Sequence, residues 1–449
     1  MDVLAHGLGG RSDLPIPLWL AVYGATAAVL ISFYVLARLW RQPKFQGPPG
    51  GRALPSWLRA IADSRGTRLG LRVLGVLLFT GLVTVAWVGP DDSYVNPAPT
   101  WLYVWWWAGL VPASLLLGPV ARLLSPMRAT TDLLRRLVRR DRSNDALIAR
   151  LGWWPAVGSL AAFLWLELAS GFADSPRVVA TFLSAYAILH VIVGVVVGPS
   201  WFDRGEGFEA YSSLFAALAP LGRRADGQLA LRNPFDGLPR LSASSGSVVP
   251  GLVAFCCLVL GSTAFDGLTR TALWRTLSQS AGGRTLSLLL GSAGLVASVL
   301  LVTGLFLLAA RLTAPYLPGQ QNPGKDSVAT AFVHSLVPVA LGYTVAHYFS
   351  FVVFQGQAGW LLGSDPLDRG WDLLGVGGSA AIDYTVVTPA VIALVQVGAI
   401  VAGHIGGVVA AHDRAVELLP RPQLTAGQYP MLATMVGFTS LGIALLAGS

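Results

Sequence analysis

Residues 385–411 read TVVTPAVIALVQVGAIVAGHIGGVVAA, and the one ionisable side chain in this apolar run is His404. About 20 consecutive apolar residues cross a bilayer's hydrocarbon core as a helix, so the run is long enough to span. An imidazole at lipid depth is expensive and calls for a partner, a ligand or a task. The run therefore points to an integral membrane protein with a polar group inside the membrane.

Working outward, further stretches read the same way near 18–39, 71–89, 101–124, 151–170, 176–199, 248–265, 285–311, 327–354 and 429–448. Proline and glycine punctuate the gaps, as at Pro97 and Pro99, Pro315 and Pro318, and Pro420 and Pro422. The expectation is an all-α polytopic bundle of about ten transmembrane helices, a single membrane domain over 1–449. Composition agrees: 54% of residues are hydrophobic and 12% charged, where a soluble domain has about 25% charged residues. Trp101, Trp105, Trp106 and Trp107 at one end, and Trp153 and Trp154 at the other, mark headgroup depth.

The net charge of +8 is topological and implies no nucleic-acid partner. Seven basic residues from Arg38 to Arg68 follow the first span, eight arginines from Arg122 to Arg150 follow the third, and Arg204, Arg223, Arg224, Arg232 and Arg240 follow the fifth. Alternate loops hold Asp91 and Asp92, or Asp365, Asp368, Asp372 and Asp383 with one arginine, Arg369. By the positive-inside rule both termini face outside and the protein sits in the plasma membrane. One loop dissents, since 266–284 carries Arg270, Arg275 and Arg284 on the side counted as external. No cleavable signal peptide is expected from the polar start of the chain. Cys256 and Cys257 are adjacent in an apolar segment and suit neither a disulfide nor a metal motif.

Two inner stretches are amphipathic without spanning. Thr131–Arg140 alternates leucines and arginines, which suits a helix on anionic lipid headgroups within the basic 122–150 loop, or a solvated loop that only sets topology. Residues 208–221, FEAYSSLFAALAPL, suit a plug at the inner face of the bundle. No inverted repeat is evident.

The histidines lie at related depths. His334 and His404 each stand seven residues from the inner end of their span, roughly 10 Å deep, with His190 roughly 3 Å deeper. His412 marks the inner mouth. Imidazole is the commonest metal-binding side chain, so His190, His334 and His404, with His412, are candidate ligands for a transition metal (zinc, copper or iron) or for a haem. Gly403, Gly406 and Gly407 bare one surface beside His404, for close helix packing or for a flat cofactor. Paired haems are disfavoured, because His334 and His347 point roughly 140° apart around their helix. Toward the outer face stand Glu167, His347 with Tyr343 one turn before it, and Asp266. A carboxylate and an imidazole there suit acid–base or proton-carrying work, or a pair that locks two helices. His6, Arg11 and Asp13 are also placed outside. Standard hydrolase, zinc-protease and nucleotide-binding motifs are absent.

HGLGGRSDLPIP at 6–17, GRRADGQLALRNPFDGL at 222–238, LGSTAFDGL at 260–268, AHYFSFVVFQGQ at 346–357 and GHIGGVVAAHDRAVELLP at 403–420 together resemble actinobacterial multi-pass membrane proteins labelled fenitrothion hydrolase. The resemblance covers most of the chain. It implies an enzyme that cleaves an organophosphate triester to a nitrophenol, and supplies no map of catalytic residues. Three readings follow. The protein is a metal or haem protein doing redox or hydrolytic chemistry on an apolar substrate. Alternatively it is a proton-coupled transporter using Glu167 and His347, or a structural subunit of a larger membrane complex.

Overall fold

The computed structural model describes residues 17–45, 50–241, 249–318, 325–377 and 380–447. His6, Arg11 and Asp13 lie outside the described residues, as does the end of the span expected to reach 448. Helices dominate: α1 (Leu18–Leu39), α2 (Ser56–Asp63), α3 (Arg65–Val88), α4 (Ala98–Leu117), α5 (Pro126–Leu137), α6 (Asp145–Leu151), α7 (Trp154–Leu168), α8 (Pro176–Val197), α9 (Gly207–Ala216), α10 (Leu252–Thr269), α11 (Ala272–Gln279), α12 (Arg284–Thr313), α13 (Leu336–Gly363), α14 (Pro389–Leu418) and α15 (Leu424–Ala447). Among the described residues one sheet occurs, antiparallel in the order β1 (Arg52–Ala53), β3 (Leu229–Leu231), β2 (Leu221–Arg223).

Eight helices among the described residues are long and apolar enough to cross a membrane, and nine if α6 and α7, bent by 63° at their junction, form one span. Their burial patterns are those of lipid-facing helices. On α1, Ala21, Ala25, Val29 and Phe33 recur every four residues and are buried, while Trp19, Tyr23, Ile31, Tyr34 and Leu39 are exposed. A helix apolar on both its packed and its exposed face has lipid as its solvent. The chain is a multi-pass integral membrane protein.

Several ends differ from the sequence reading for local reasons. The third span stops at Leu117, because Gly118 adopts φ 89° and Pro119 follows; the apolar run continues as a separate short helix, Val120–Leu124. The second span starts earlier, at Arg65, where the Ser64 side chain accepts from the Thr67 amide at 2.9 Å.

By its internal contacts the chain divides into two compact units. The first comprises Arg52–Leu231 and Ser350–Val387, and the second the described parts of Gly9–Gly51, Arg232–Phe349 and Thr388–Ser449. In the first unit α9, the expected plug, is buried at every residue but Ser213, which is half-buried. Its Tyr211 stacks on Trp107 at 4.2 Å, and its Phe208 meets Phe163 at 4.9 Å. The start of α4 is π-helical over Trp101–Ala108. Trp101 and Trp105 donate from there to the Gly359 and Gly356 carbonyls at 2.9 and 3.1 Å. The sheet ties the segment after α1 to the segment after α8, reinforced by Arg59 donating to Gln228 at 2.7 Å. Elsewhere in this unit, Asp91 accepts from the Arg177 amide at 3.1 Å and from Ser175 at 3.2 Å.

The second unit packs α1 against α14 and α15, and α10 against α12. Here the glycines of the opening sequence find their use. A Cβ on Gly403 would lie 2.6 Å from the Pro338 carbonyl oxygen and 2.9 Å from the Gly342 Cα; one on Gly407 would lie 2.9 Å from the Ser335 carbonyl oxygen. These positions let α13 and α14 touch backbone to backbone. Gly403→Val is therefore expected to destabilise the protein by about 1–3 kcal/mol through overpacking, read as a lower unfolding temperature in detergent. An unchanged temperature would mean that the helices do not meet there.

Candidate functional site

The second unit carries a buried ionic centre. Asp266 and Arg270 stand four residues apart at the end of α10 and so share one face. His347 projects from α13, and its Nε2 hydrogen-bonds the Asp266 carboxylate at Oδ2. The same nitrogen lies 3.1 Å from Arg270 Nη2, and Arg270 Nε lies 3.9 Å from Asp266 Oδ1. The Asp266 and His347 side chains are 2% and 3% exposed, whereas that of Arg270 is 29% exposed. The centre is thus closed on two members and reachable past the third.

Its chemistry follows from donor and acceptor counts. Arginine only donates and an ionised carboxylate only accepts. Nε2 therefore faces one partner that wants its hydrogen and another that wants its lone pair. With a hydrogen on Nε2, the imidazole bonds Asp266. From the imidazolium, with hydrogen on both ring nitrogens, Nε2 can pass its hydrogen to the carboxylate and leave a neutral ring, protonated on Nδ1, whose Nε2 accepts from Arg270. The proton's position decides which partner His347 holds.

Tyr343, a turn before His347, is buried, and its hydroxyl lies 3.3 Å from where a Cβ on Gly267 would sit. Tyr343 and His404 both line a cavity of about 30 Å³, with Leu260, Val302, Phe438 and Leu441 among its walls. His404 Nδ1 donates to the Ile400 carbonyl at 2.8 Å, while its Nε2, 1% exposed with the residue, has no partner among the described residues.

The remaining candidates are distributed differently. His334 is hydrogen-bonded to the backbone of Ala331 and Ala410 and lies near Asp413 and Arg414. Ala410 is six residues beyond His404 on α14, roughly 9 Å along the axis, so the two histidines face different turns. His412 hydrogen-bonds Gln428 Oε1 at 2.8 Å and the Trp40 carbonyl at 3.1 Å. Beside it Asp413 accepts from Trp40 Nε1 at 3.0 Å and from the Lys44 amide at 2.6 Å, tying the segment after α1 to the end of α14. His190 belongs to the first unit, not to the second with His334 and His404. Trp201 donates to its Nδ1 at 3.0 Å, and its Nε2 lies 3.1 Å from Ser159 Oγ. Indole N–H is a donor only, so the neutral ring carries its hydrogen on Nε2 and neither nitrogen keeps a lone pair for a metal. The same tautomer prevents His190 from acting as a base toward Ser159. Among the described residues no group of three or more His, Cys, Asp or Glu is arranged to hold a metal ion.

Glu167 is buried on α7 in the first unit, with its charge near the Tyr103 hydroxyl. The hydrogen-bond partners of His347 are Asp266 and Arg270. Arg270 was one of three arginines that made the 266–284 loop look inward; its charge is matched by Asp266 and is weak evidence of sidedness. Cys256 and Cys257 are free thiols, both buried.

Sequence reasoning passed over the charged network around Arg128. This residue sits in the basic loop, yet it is buried and forks onto Glu209, with Nε at 3.1 Å from Oε1 and Nη2 at 2.7 Å from Oε2. Arg135 is buried as well, donating to the Val195 and Arg142 carbonyls at 2.7 Å each. The available signal was Glu209 inside the largely apolar 208–221 stretch, with Glu206 just before it. Comparison with protein-family models, curated proteins and solved structures finds no match.

Proposed function

We propose that the protein is a proton-coupled transporter of the plasma membrane, with the transported proton held between Asp266 and His347 and Arg270 as counter-charge. The observation that carries this reading is the buried Asp266–His347–Arg270 centre on two membrane-spanning helices. Buried ionisable groups on helices of this kind mark proton relays and ion pathways. The acid–base pair of the transporter reading is retained with a different carboxylate, Asp266 in place of Glu167.

Ten spans with both termini outside complete the proposal. In its support, β1 pairs with β3, so on this reading the segments after α1 and after α8 share one side of the membrane. Asp91 with Ser175, and Lys44 with Asp413, add two further same-side pairs. Each pair needs an even number of crossings between its members, and that number is even only if α7 crosses. This supports nine crossings among the eligible helices, and α15 supplies the tenth. The basic loops then face the cytoplasm. Exposed Arg136, Arg139 and Arg140, beside exposed Leu133 and Leu137, supply the contact with anionic headgroups.

The test needs no knowledge of the carried solute. Proteoliposomes adsorbed to a capacitive sensor and exposed to a pH jump should give a transient charge displacement as protons enter the centre. Asp266→Asn is expected to abolish it. A transient no larger than that of empty liposomes, or one unchanged by the substitution, would sink the proposal.

A further inference from the structure

A second polar chain, independent of the ionic centre of the second unit, runs through the buried part of the first. Trp201 fixes the His190 tautomer, so the imidazole donates from Nε2 to Ser159 Oγ at 3.1 Å. The Gly207 amide also donates to Ser159 Oγ, at 3.0 Å. With its oxygen accepting twice, Ser159 turns its own hydrogen to the Tyr186 hydroxyl oxygen, 2.7 Å away. Tyr186 in turn donates to Glu206 Oε1. Every hydrogen in the chain points toward one carboxylate.

Among the described residues no cation hydrogen-bonds that carboxylate, although the Arg128 charge acts on it. Glu206 is 1% exposed, and besides Tyr186 it accepts from the Phe208 and Glu209 amides at 2.9 and 2.7 Å. The charged groups packed about it are already matched: Arg128 forks onto Glu209 and reaches Asp203 at 2.9 Å, and Arg122 meets Asp203 at 3.1 Å. The Arg122–Asp203 pair is exposed, and Arg128, the guanidinium that acts on Glu206 through space, is hydrogen-bonded to the other two carboxylates and not to Glu206. The donors and acceptors touch one another directly, so a proton fits between them and a metal cation does not.

We propose that Glu206 is a proton-binding site, loaded through the relay His190–Ser159–Tyr186. A proton arriving at His190 Nδ1 displaces the N–H of Trp201, which is only partly buried. Nε2 then passes its hydrogen to Ser159 Oγ, Ser159 passes its own to Tyr186, and Tyr186 passes its own to Glu206. The net change is one protonated carboxyl and the other tautomer of His190, with every hydrogen bond in the chain reversed. Burial pushes the Glu206 carboxyl above the usual carboxylate range, against the pull of the Tyr186 bond.

The test is infrared difference spectroscopy of the full-length protein in lipid nanodiscs, titrated from about pH 5 to about pH 9 to bracket a raised carboxyl. A pH-dependent carboxylic C=O band is expected, shifted in D₂O. Glu209, raised to about 7, titrates in the same window, so the band is read in a Glu209→Gln background: it should persist there and with Asp266→Asn added, and be lost when Glu206→Gln, which keeps the shape of the site, is added. Tyr186→Phe removes the carboxyl's hydrogen-bond partner and is expected to shift the band; it serves where Glu206→Gln fails to fold. In the Glu209→Gln background, absence of a titrating band, its survival when Glu206→Gln is added, or a band unmoved by Tyr186→Phe would overturn the proposal. Because Asp266 lies outside this chain, loss of its pH-jump signal alone would leave the Glu206 site standing.

Discussion

Asp266→Ala is expected to lower folding stability by about 3–5 kcal/mol, the range for breaking a buried ion pair by removing one partner. His347 loses its acceptor and Arg270 its counter-charge at once. His347 is left with Arg270 at 3.1 Å and no carboxylate between them, and Arg270 keeps a charge with no partner on α10. Asp266→Asn should cost less, since the amide oxygen still accepts from Nε2–H while the charge is gone. His347→Gln should be milder again, because it leaves the Asp266–Arg270 pair in place. Unfolding followed by intrinsic tryptophan fluorescence in one detergent ranks the three variants. An Asp266→Ala protein as stable as the wild type would mean that the three groups are solvated rather than paired. If Asp266→Asn folds but loses the pH-jump transient, function and stability at the centre separate.

Much of the architecture was legible in the sequence because lipid imposes a single demand. Each backbone polar group at bilayer depth must be satisfied within its own segment, so hydropathy alone located most of the long helices. Their ends were harder: Leu117 ends α4 because Gly118 and Pro119 break the backbone, although the apolar run continues to Leu124. The site was legible by residue type and not by pairing. His347 and Asp266 stood out as costly groups near one face, but depth along a helix says nothing of rotation about its axis or of which helices adjoin. Hence His347 was paired with Glu167, whereas the contact is with Asp266, a residue of another span. Equal depth likewise grouped His190 with His334 and His404, while the fold gives each its own hydrogen bonds. Arg128 shows the opposite limit. Inside a cluster of eight arginines it looked like a topology signal, and only the fold shows that it is buried against Glu209.

Arg128→Ala should be the most damaging substitution in the first unit, at about 3–5 kcal/mol near neutral pH. The guanidinium forks onto Glu209, donates to the Pro199 carbonyl at 3.1 Å, and reaches Asp203 at 2.9 Å, with Phe202 beneath it at 5.1 Å. Arg128→Lys keeps a charge but not the fork, and should recover only part of the loss. The pH dependence gives the cause away. Burial raises the Glu209 carboxyl from its ordinary value to about 7, while Arg128 pulls it down. A carboxyl raised in the folded state favours folding when protonated. Its contribution is complete below the unfolded value of about 4.5 and is lost as pH rises through about 7. Without Arg128 the opposing pull is gone, so the folded-state value rises further and the loss deepens toward alkaline pH. The deficit of Arg128→Ala should therefore be smallest in acid and largest above pH ~8, where a wild-type carboxylate raised to about 7 is ionised but paired. Adding Glu209→Gln to Arg128→Ala should remove the larger part of the slope, because the amide cannot ionise, and leave the part due to Glu206, which Arg128 also pulls down. A deficit that is the same at both ends of the pH range would place the role of Arg128 in packing over Phe202, and not in holding a buried charge.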